Sequence, residues 1–336
     1  MKKFLASIIA VVLAVSGLSV ISITANAATI FISGNYEYTV NSDDTVNIAG
    51  YKGIATDITI PSQILNKNVV KISDNSFYNN STLTSVKIPN TIKVVGSMAF
   101  HNCTKLSKVT LPSNLTEIGY NAFEGTTALT TITIPKTVTT AGNNVFNGSA
   151  LKTATIENGA TAVADNLFSN AKNLTKVTIP NTVKKIGSMS FYDCTKLSSV
   201  TLPNTLTSIE TSAFKNCQAM KSITIPKSVT YFGTTAVGYS DGRVIDGFII
   251  YGYKNTKAQT YATKNKITFK ALQEETVPVG DINNDGKIDV SDVTYLQMYL
   301  SGNSSYVIKN TKAADANGDG KIDVADVTKI QTIIAS

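Results

Sequence analysis

The sequence predicts a mainly β solenoid of about seven to eight coils of ~23 residues, capped at both ends and followed by a small all-α pair of loop–helix units. Three observations carry that prediction. Phenylalanine recurs at Phe77, Phe100, Phe123, Phe146, Phe168, Phe191 and Phe214, at spacings of 23, 23, 23, 22, 23 and 23 residues. Proline keeps the same beat at Pro89, Pro112, Pro135, Pro180, Pro203 and Pro226. Near the carboxyl end, one run of Asp, Asn and Gly is written twice, 34 residues apart.

The chain opens with Lys2 and Lys3, an apolar run from Phe4 to Ile23, and then Ala25-Asn26-Ala27. A basic start, an apolar stretch and an Ala-x-Ala site predict a secretory signal peptide over residues 1–27. The run approaches the ~20 residues that spanning a bilayer needs. The small-residue cleavage site, with no basic residue just after it, favours removal. The mature protein is therefore expected to be secreted, with no membrane span after signal cleavage. The formal charge of +7 is uneven: from Gly280 onward there are eight Asp and five Lys, so residues 28–279 carry about +8. The lysines are dispersed, which does not make a nucleic-acid footprint. They suit a solvated surface, or attraction to anionic wall polymers and acidic polysaccharides.

Aligned on Phe and Pro, one unit reads Leu-x-x-Val-x-Ile-Pro-x-x-Val-x-x-Ile-Gly-x-x-Ala-Phe-x-x-Cys. Self-similarity at 20–29 residues signals a leucine-rich-repeat type solenoid, whose coils bury their apolar faces only by stacking. Leu83, Val86 and Ile88 alternate with Ser85 and Lys87, the pattern of a short strand with one face inward. Pro89 ends that strand because it lacks the N–H that would continue the ladder. Gly96, Gly119 and Gly187 fall where the coil turns again. The recurring Phe is expected to form a stacked core ladder. Cys103, Cys194 and Cys217 each follow the repeat Phe by three residues, a slot that Asn80, Thr126, Ser149 and Ala171 fill elsewhere. Cys194 and Cys217, on neighbouring coils, fall within disulfide range, but buried free thiols are the favoured reading. In the fourth coil Leu151 comes one position early and Glu157-Asn158 replaces Ile-Pro, which predicts a local kink.

The solenoid proper is assigned to residues 73–237, an amino-terminal cap to 28–72 and a carboxyl-terminal cap to 238–272. In the first cap Tyr36 to Val40 and Val46 to Ile48 read as a strand pair. In the second, Phe248–Tyr251 and Ile267–Phe269 read as strands around a short helix at Ala258–Asn265. This arrangement resembles the BspA-like leucine-rich repeats of surface proteins, which implies a secreted or surface protein that binds something. The outward strand positions, from Ser85 to Ser222 and from Lys87 to Thr224, are almost all Thr, Ser or Lys. They lack the aromatic platforms that stack on sugar rings. Glycoside hydrolysis needs two carboxylates about 5–9 Å apart, and Glu117, Glu124, Glu157, Asp165, Asp193 and Glu210 occupy different frame positions. His101 beside Cys103 reads as a turn residue, because Tyr192 and Lys215 take its place in the other Cys-bearing coils. No catalytic constellation emerges.

A linker, 273–279, leads to the duplicated module, 280–336. Calcium takes six to eight hard oxygen ligands, and a 12-residue loop supplies them from positions 1, 3, 5, 7, 9 and 12. In the first loop these are Asp281, Asn283, Asp285, the carbonyl of Lys287, Asp289 and Asp292. In the second they are Asp315, Asn317, Asp319, the carbonyl of Lys321, Asp323 and Asp326. Gly286 and Gly320 take position 6, where the turn needs positive φ. Two Ca2+ ions are therefore expected. Repulsion among eight Asp residues predicts a disordered or loosened module until calcium enters. Ile288 and Ile322, at position 8, point into a core. Each loop is expected to run into one exiting helix, Val293–Leu300 and Val327–Ile334, with no room for an entering helix after Pro278 and Gly280.

A loop–helix duplicate at a secreted carboxyl terminus resembles a type I dockerin, matching at every ligand position. The resemblance implies that the partner is a cohesin module of a scaffold protein, in an extracellular complex such as a cellulosome. It also implies that partner choice rests with Val290, Ser291, Val324 and Ala325, helped by Leu296, Gln297, Leu300, Ile330, Gln331 and Ile334. Valine departs from the family's best-known Ser-Thr pair. Because one half maps onto the other, either half is expected to engage the cohesin. The resulting expectation is a non-catalytic, scaffold-bound extracellular protein. Its dockerin anchors a solenoid that recognises a polysaccharide or cell-surface ligand within a polysaccharide-degrading complex. The rival reading is a glycoside hydrolase-type or other enzyme subunit of the same complex.

Overall fold

The computed structural model describes residues 20–21, 29–273, 278–308 and 310–336. The chain divides into two compact units between Leu272 and Gln273. The leader expected at 1–27 lies outside the described residues except for Val20 and Ile21, whose backbone runs antiparallel to Ile30–Phe31. Among the described residues no helix is long and apolar enough to cross a membrane.

The first unit is a β solenoid of about ten turns. It exceeds the seven to eight repeat-bearing coils because the segments expected as caps carry rungs of their own. Asp57–Thr59 pairs in parallel with Ser85–Lys87, and Val46–Tyr51 with Lys67–Ile72. At the far end Ser222–Thr224 pairs with Ile249–Gly252, which pairs with Thr268–Ala271. A short helix, α1 (Lys257–Lys264), lies between those last two strands. The amino end is closed by antiparallel strands, Ile30–Ser33, Tyr36–Val40 and Val46–Tyr51.

All but one of the regular coils have a strand from the Val-x-Ile segment, and each has a second, shorter one that the periodic reading did not separate. In the first set Lys108 stands beside Ser85, Thr131 beside Thr153, and Thr153 beside Lys176, so the outward ladder is in register. The coil of Ser199 and Thr201 carries no strand at that place. The second set includes Val94–Val95, Glu117–Ile118 and Thr140–Ala141, then Ala162–Val163, Lys185–Ile186, Ser208–Ile209 and Tyr231–Phe232. Pro89 and its equivalents follow the first strand, and their carbonyls accept from the residue three later, as Ile92 N to Pro89 O at 3.1 Å.

The core is a ladder of rings. The seven repeat phenylalanines are at most 2 % exposed, and their neighbours lie 4.9–5.9 Å apart with interplanar angles of 3–22°. The widest and most tilted step, Phe146 to Phe168 at 5.9 Å and 22°, is the irregular fourth coil. There the Glu157 carboxylate accepts from Lys136 N at 3.0 Å, tying the polar substitution back to the preceding coil. All three cysteines are buried free thiols. Each donates to a phenylalanine carbonyl of the coil before it: Cys103 to Phe77, Cys194 to Phe168 and Cys217 to Phe191, at 3.1–3.2 Å. Burial pushes the Cys103 thiol up to about 12 and raises the other two as well.

The glycines of the repeat serve a different purpose from the turn expected of them. Gly119 has ordinary φ, but a Cβ there would lie 2.6 Å from the carbonyl carbon of Gly96 in the preceding coil. The position is glycine because coil backbones touch. Positive φ instead falls on two corner ladders. One contains Asn79, Asn102, Gly125, Gly148, Asn170, Asp193 and Asn216, at 55–69°. The other contains Asn75, Met98, Asn121, Asn144, Asn166, Met189, Ser212 and Thr235, at 50–61°. Asn, Asp and Gly tolerate this region and other side chains are strained in it. Met98 and Met189 are only half-buried. Replacing both with Asn, the residue of the sister corners, is expected to stabilise the solenoid by about 0.5–1 kcal/mol each. The midpoint of thermal unfolding checks it: an unchanged or lowered value overturns the assignment.

Candidate metal loops and docking surface

The second unit is built from its loops outward. In loop one the Asp281 carboxylate accepts from the N–H of Asp285 at 3.2 Å and of Gly286 at 3.1 Å. Asn283 accepts from Asp285 N, and Asp285 from Lys287 N, both at 2.9 Å. Loop two repeats this with Asp315 accepting from Asp319 and Gly320, Asn317 from Asp319, and Asp319 from Lys321, at 2.9–3.0 Å. Gly286 and Gly320 sit at φ 86° and 83°, and position 4, Asn284 or Gly318, is left-handed too. The chain is thus wound inward by side chains that carry oxygen.

The last two ligand positions also start the helices. Asp289 caps α2 (Val290–Leu300), accepting from Ser291 N at 2.8 Å, while Asp292 accepts from Asp289 N at 3.0 Å. Asp323 and Asp326 do the same for α4 (Val324–Ile334), at 2.8 and 2.9 Å. These capping boxes begin each helix three residues earlier than the apolar pattern predicted. A further turn, α3 (Thr311–Ala314), enters loop two, capped by Asn310; periodicity over four residues cannot reveal it.

Burial tests whether the residues suit a cation. Asp292 and Asp326 are 0 % exposed and Asp281 is 2 % exposed. Asp292 also accepts from Ile282 N at 2.7 Å and Asn283 N at 3.1 Å. No lysine pairs with them among the described residues. Buried charge of one sign is costly unless a counter-charge arrives. Hydrogen bonds from the Ser291 hydroxyl and N–H hold Asp289 below the usual carboxylate range. Those from Lys321 N–H and the Asn317 amide do so for Asp319. The donors are all hard oxygens, which fits calcium or magnesium chemistry. Among the described residues no group of three or more His, Cys, Asp or Glu side chains is gathered closely enough to hold a metal ion.

Ile282, Val293, Leu296, Ala314, Ala316, Val327 and Ile330 form this unit's core, with Ile288, Ile322, Leu300 and Ile334 packed against it. That corrects two assignments. Leu296 and Ile330, expected at the partner surface, are 0 % exposed, because α2 and α4 pack on each other through that face. Leu300 and Ile334 are partly buried for the same reason. Val290 and Val324 stand out instead, at 72 % and 73 % exposed. Ser291, Gln297, Ala325 and Gln331 are exposed with them. Counting i+4 and i+8 from Val290 would have added Thr294 and Met298 to this face, and i+4 from Val324 would have added Thr328; all three are exposed.

In the solenoid, His101 lies 3.8 Å from Glu124 and its ring 5.0 Å from Tyr78, while Cys103 faces Phe77 O. The two do not form a nucleophile–base pair.

Comparison with known families and structures places both units. The model for the BspA type leucine-rich repeat region matches residues 54–175 and 161–241, in six copies. The model for the dockerin type I domain matches residues 279–334. A leucine-rich repeat protein from Bacteroides ovatus is 25 % identical, with a TM-score of 0.52 over 72 % of this chain and 67 % of that one. The leucine-rich repeat protein of T. pallidum is 26 % identical, over 71 % and 97 % of the two chains, with a TM-score of 0.48. A leucine-rich cell surface protein from Faecalibacterium prausnitzii is 24 % identical, over 75 % and 97 %, with a TM-score of 0.45. No curated protein matches the chain.

Proposed function

We propose, for a chain that belongs to the BspA-type leucine-rich-repeat family and carries a type I dockerin at residues 279–334, that it is a non-catalytic component of an extracellular polysaccharide-degrading complex. Its dockerin holds two calcium ions and binds a cohesin module of a scaffold, and its solenoid is presented for ligand recognition. The ligands are Asp281, Asn283, Asp285, Lys287 O, Asp289 and Asp292, and in the second loop Asp315, Asn317, Asp319, Lys321 O, Asp323 and Asp326. Both matched families are non-catalytic, which supports a binding role.

The observation that carries the reading is the pair of exposed valines, Val290 and Val324, each opening a helix that a ligand carboxylate caps. Metal at the loop would fix the helix start, and with it the docking residue. Ser291, Gln297, Ala325 and Gln331 complete the surface, whereas Leu296 and Ile330 hold the helices together.

Titration calorimetry against a cohesin tests it. Val290→Asp together with Val324→Asp is expected to lower affinity more than a hundredfold, because a charge at the centre of an apolar contact is a hot-spot loss. Either substitution alone should cost no more than about threefold if the duplicated halves are interchangeable. Full binding by the double variant would overturn the docking surface.

A further inference from the structure

The second strand set carries Val94, Glu117, Thr140, Ala162, Lys185 and Ser208 at one outward position, and its last rung places Tyr231 there, half exposed. The next residue, Phe232, takes the rung that Val95, Ile118, Ile186 and Ile209 fill inside the core. It is only partly buried, and its ring stacks on Tyr261 of α1 at 4.6 Å and 24°. Tyr261 is fixed in turn, since its hydroxyl donates to Val237 O at 3.2 Å and accepts from Val237 N at 3.3 Å. Tyr239 donates to Asn265 at 2.8 Å. Between this last coil and α1 opens a cleft of about 380 Å³, lined by Tyr231, Phe232, Tyr239, Thr260, Lys257 and Lys264 among others. Among the described residues no carboxylate lines it. Neither lysine makes an ion pair among the described residues.

We propose that this cleft binds an acidic sugar unit, a uronate, of a polysaccharide. The inference rests on the reading of the solenoid as a ligand-presenting unit and gives that reading a site. An aromatic face carries negative potential and attracts the polarised C–H face of a sugar ring. Lys257 and Lys264 supply the cations that a carboxylate requires, at a place with no competing acid. Thr230 and Thr260 donate their hydroxyl protons to Thr207 O and Thr256 O, so their oxygens are left to accept from the ring's hydroxyls, with Thr234 beside them. The excess of about +8 over residues 28–279 draws polyanions to the unit as a whole. A simple polyanion would need only the lysines, so dependence on Tyr231 is what separates a sugar site from a charged surface.

Affinity electrophoresis of the full-length, calcium-loaded chain through gels containing polygalacturonate, dextran or dextran sulfate tests this. Polygalacturonate is expected to retard the chain and dextran is not. Tyr231→Ala should weaken retardation at least tenfold, as should Lys257→Glu with Lys264→Glu. Tyr120→Ala, an exposed tyrosine on another coil, should change nothing. Three outcomes overturn the proposal: no retardation by polygalacturonate, equal retardation by dextran sulfate with Tyr231→Ala silent, or retention of binding by both cleft variants. In the last case the solenoid still recognises a polymer at another place, so the ligand-presenting reading survives the loss of this site. Cohesin affinity, measured on the same samples, should be unaltered throughout; its absence in the unmodified chain would strike the docking reading alone.

Discussion

Chelating calcium from the full-length chain is expected to remove protection from the amides of α2 and α4 while those of the solenoid exchange as before. Hydrogen exchange read by mass spectrometry separates the two units in one experiment. The module's core is small, a cluster of seven buried apolar side chains among the described residues, and small domains seldom gain more than a few kcal/mol from such a core. Against it stand three carboxylates that are 0–2 % exposed and without a lysine partner among the described residues. A ligand that binds only the folded state contributes about 4 kcal/mol per site at a thousandfold excess over Kd. Removing two such contributions exceeds what the core supplies. Protection in α2 and α4 should therefore fall at least a hundredfold, and return when calcium is restored.

Acid should act in the same direction. Asp289 and Asp319 are held below the ordinary carboxylate range. A lowered folded-state value contributes stability above the unfolded value, and that stability disappears as the pH falls through the folded one. The ligands must also be ionised to hold a cation. Calcium retention should accordingly be weaker near pH 4 than at pH 7. Exchange in α2 and α4 that ignores the chelator would show that the capping boxes and the small core suffice by themselves, and the metal-dependent reading would fail.

The residues that made the fold legible are those whose chemistry repeats. Phe at a fixed interval has no cheap place but a shared core, so the ring ladder followed from spacing alone. The twin loops were legible because oxygen-bearing residues at positions 1, 3, 5, 9 and 12, with Gly at 6, have few uses other than a cation. What stayed hidden depends on partners distant in sequence. Asp57–Thr59 has no Phe or Pro marker, yet it forms a rung because Ser85–Lys87 offers an open edge. The corner asparagines bear no mark in the sequence that separates them from other polar residues, and their alignment into ladders of left-handed backbone appears only once coils are stacked. Leu296 and Ile330 were misplaced because a position carried over from a family says nothing of which helix face the partner helix covers. The cleft at Tyr231 escaped notice because its aromatics come from two separate strands and a helix.

Phe123→Ala is expected to cost the solenoid about 3–5 kcal/mol, the usual loss for emptying a buried ring, and to lower its thermal midpoint by about 10 °C. Phe123 is 0 % exposed and sits between Phe100, at 5.2 Å and 3°, and Phe146, at 5.6 Å and 10°. Deletion leaves a void against both neighbours and forfeits two ring pairs worth about 0.5–1.5 kcal/mol each beyond their area. Stability in a solenoid is a sum of coil terms and nearest-neighbour interfaces, so a break in the middle weakens both flanking stacks. Phe77→Ala should cost less. Its own contacts are Tyr51 at 5.5 Å and 29°, a poorer stack, and Phe100, and its loss leaves the ladder from Phe100 to Phe214 continuous. Cohesin affinity should be untouched in both variants, because the docking unit has a core of its own. Scanning calorimetry with a cohesin titration on the same samples decides it. If Phe123→Ala unfolds no earlier than the exposed control Tyr120→Ala, the rings are not what joins the coils. The weight would then fall on the hydroxyl-to-carbonyl bonds between neighbouring coils, such as Thr116 to Lys93 O and Thr207 to Lys184 O.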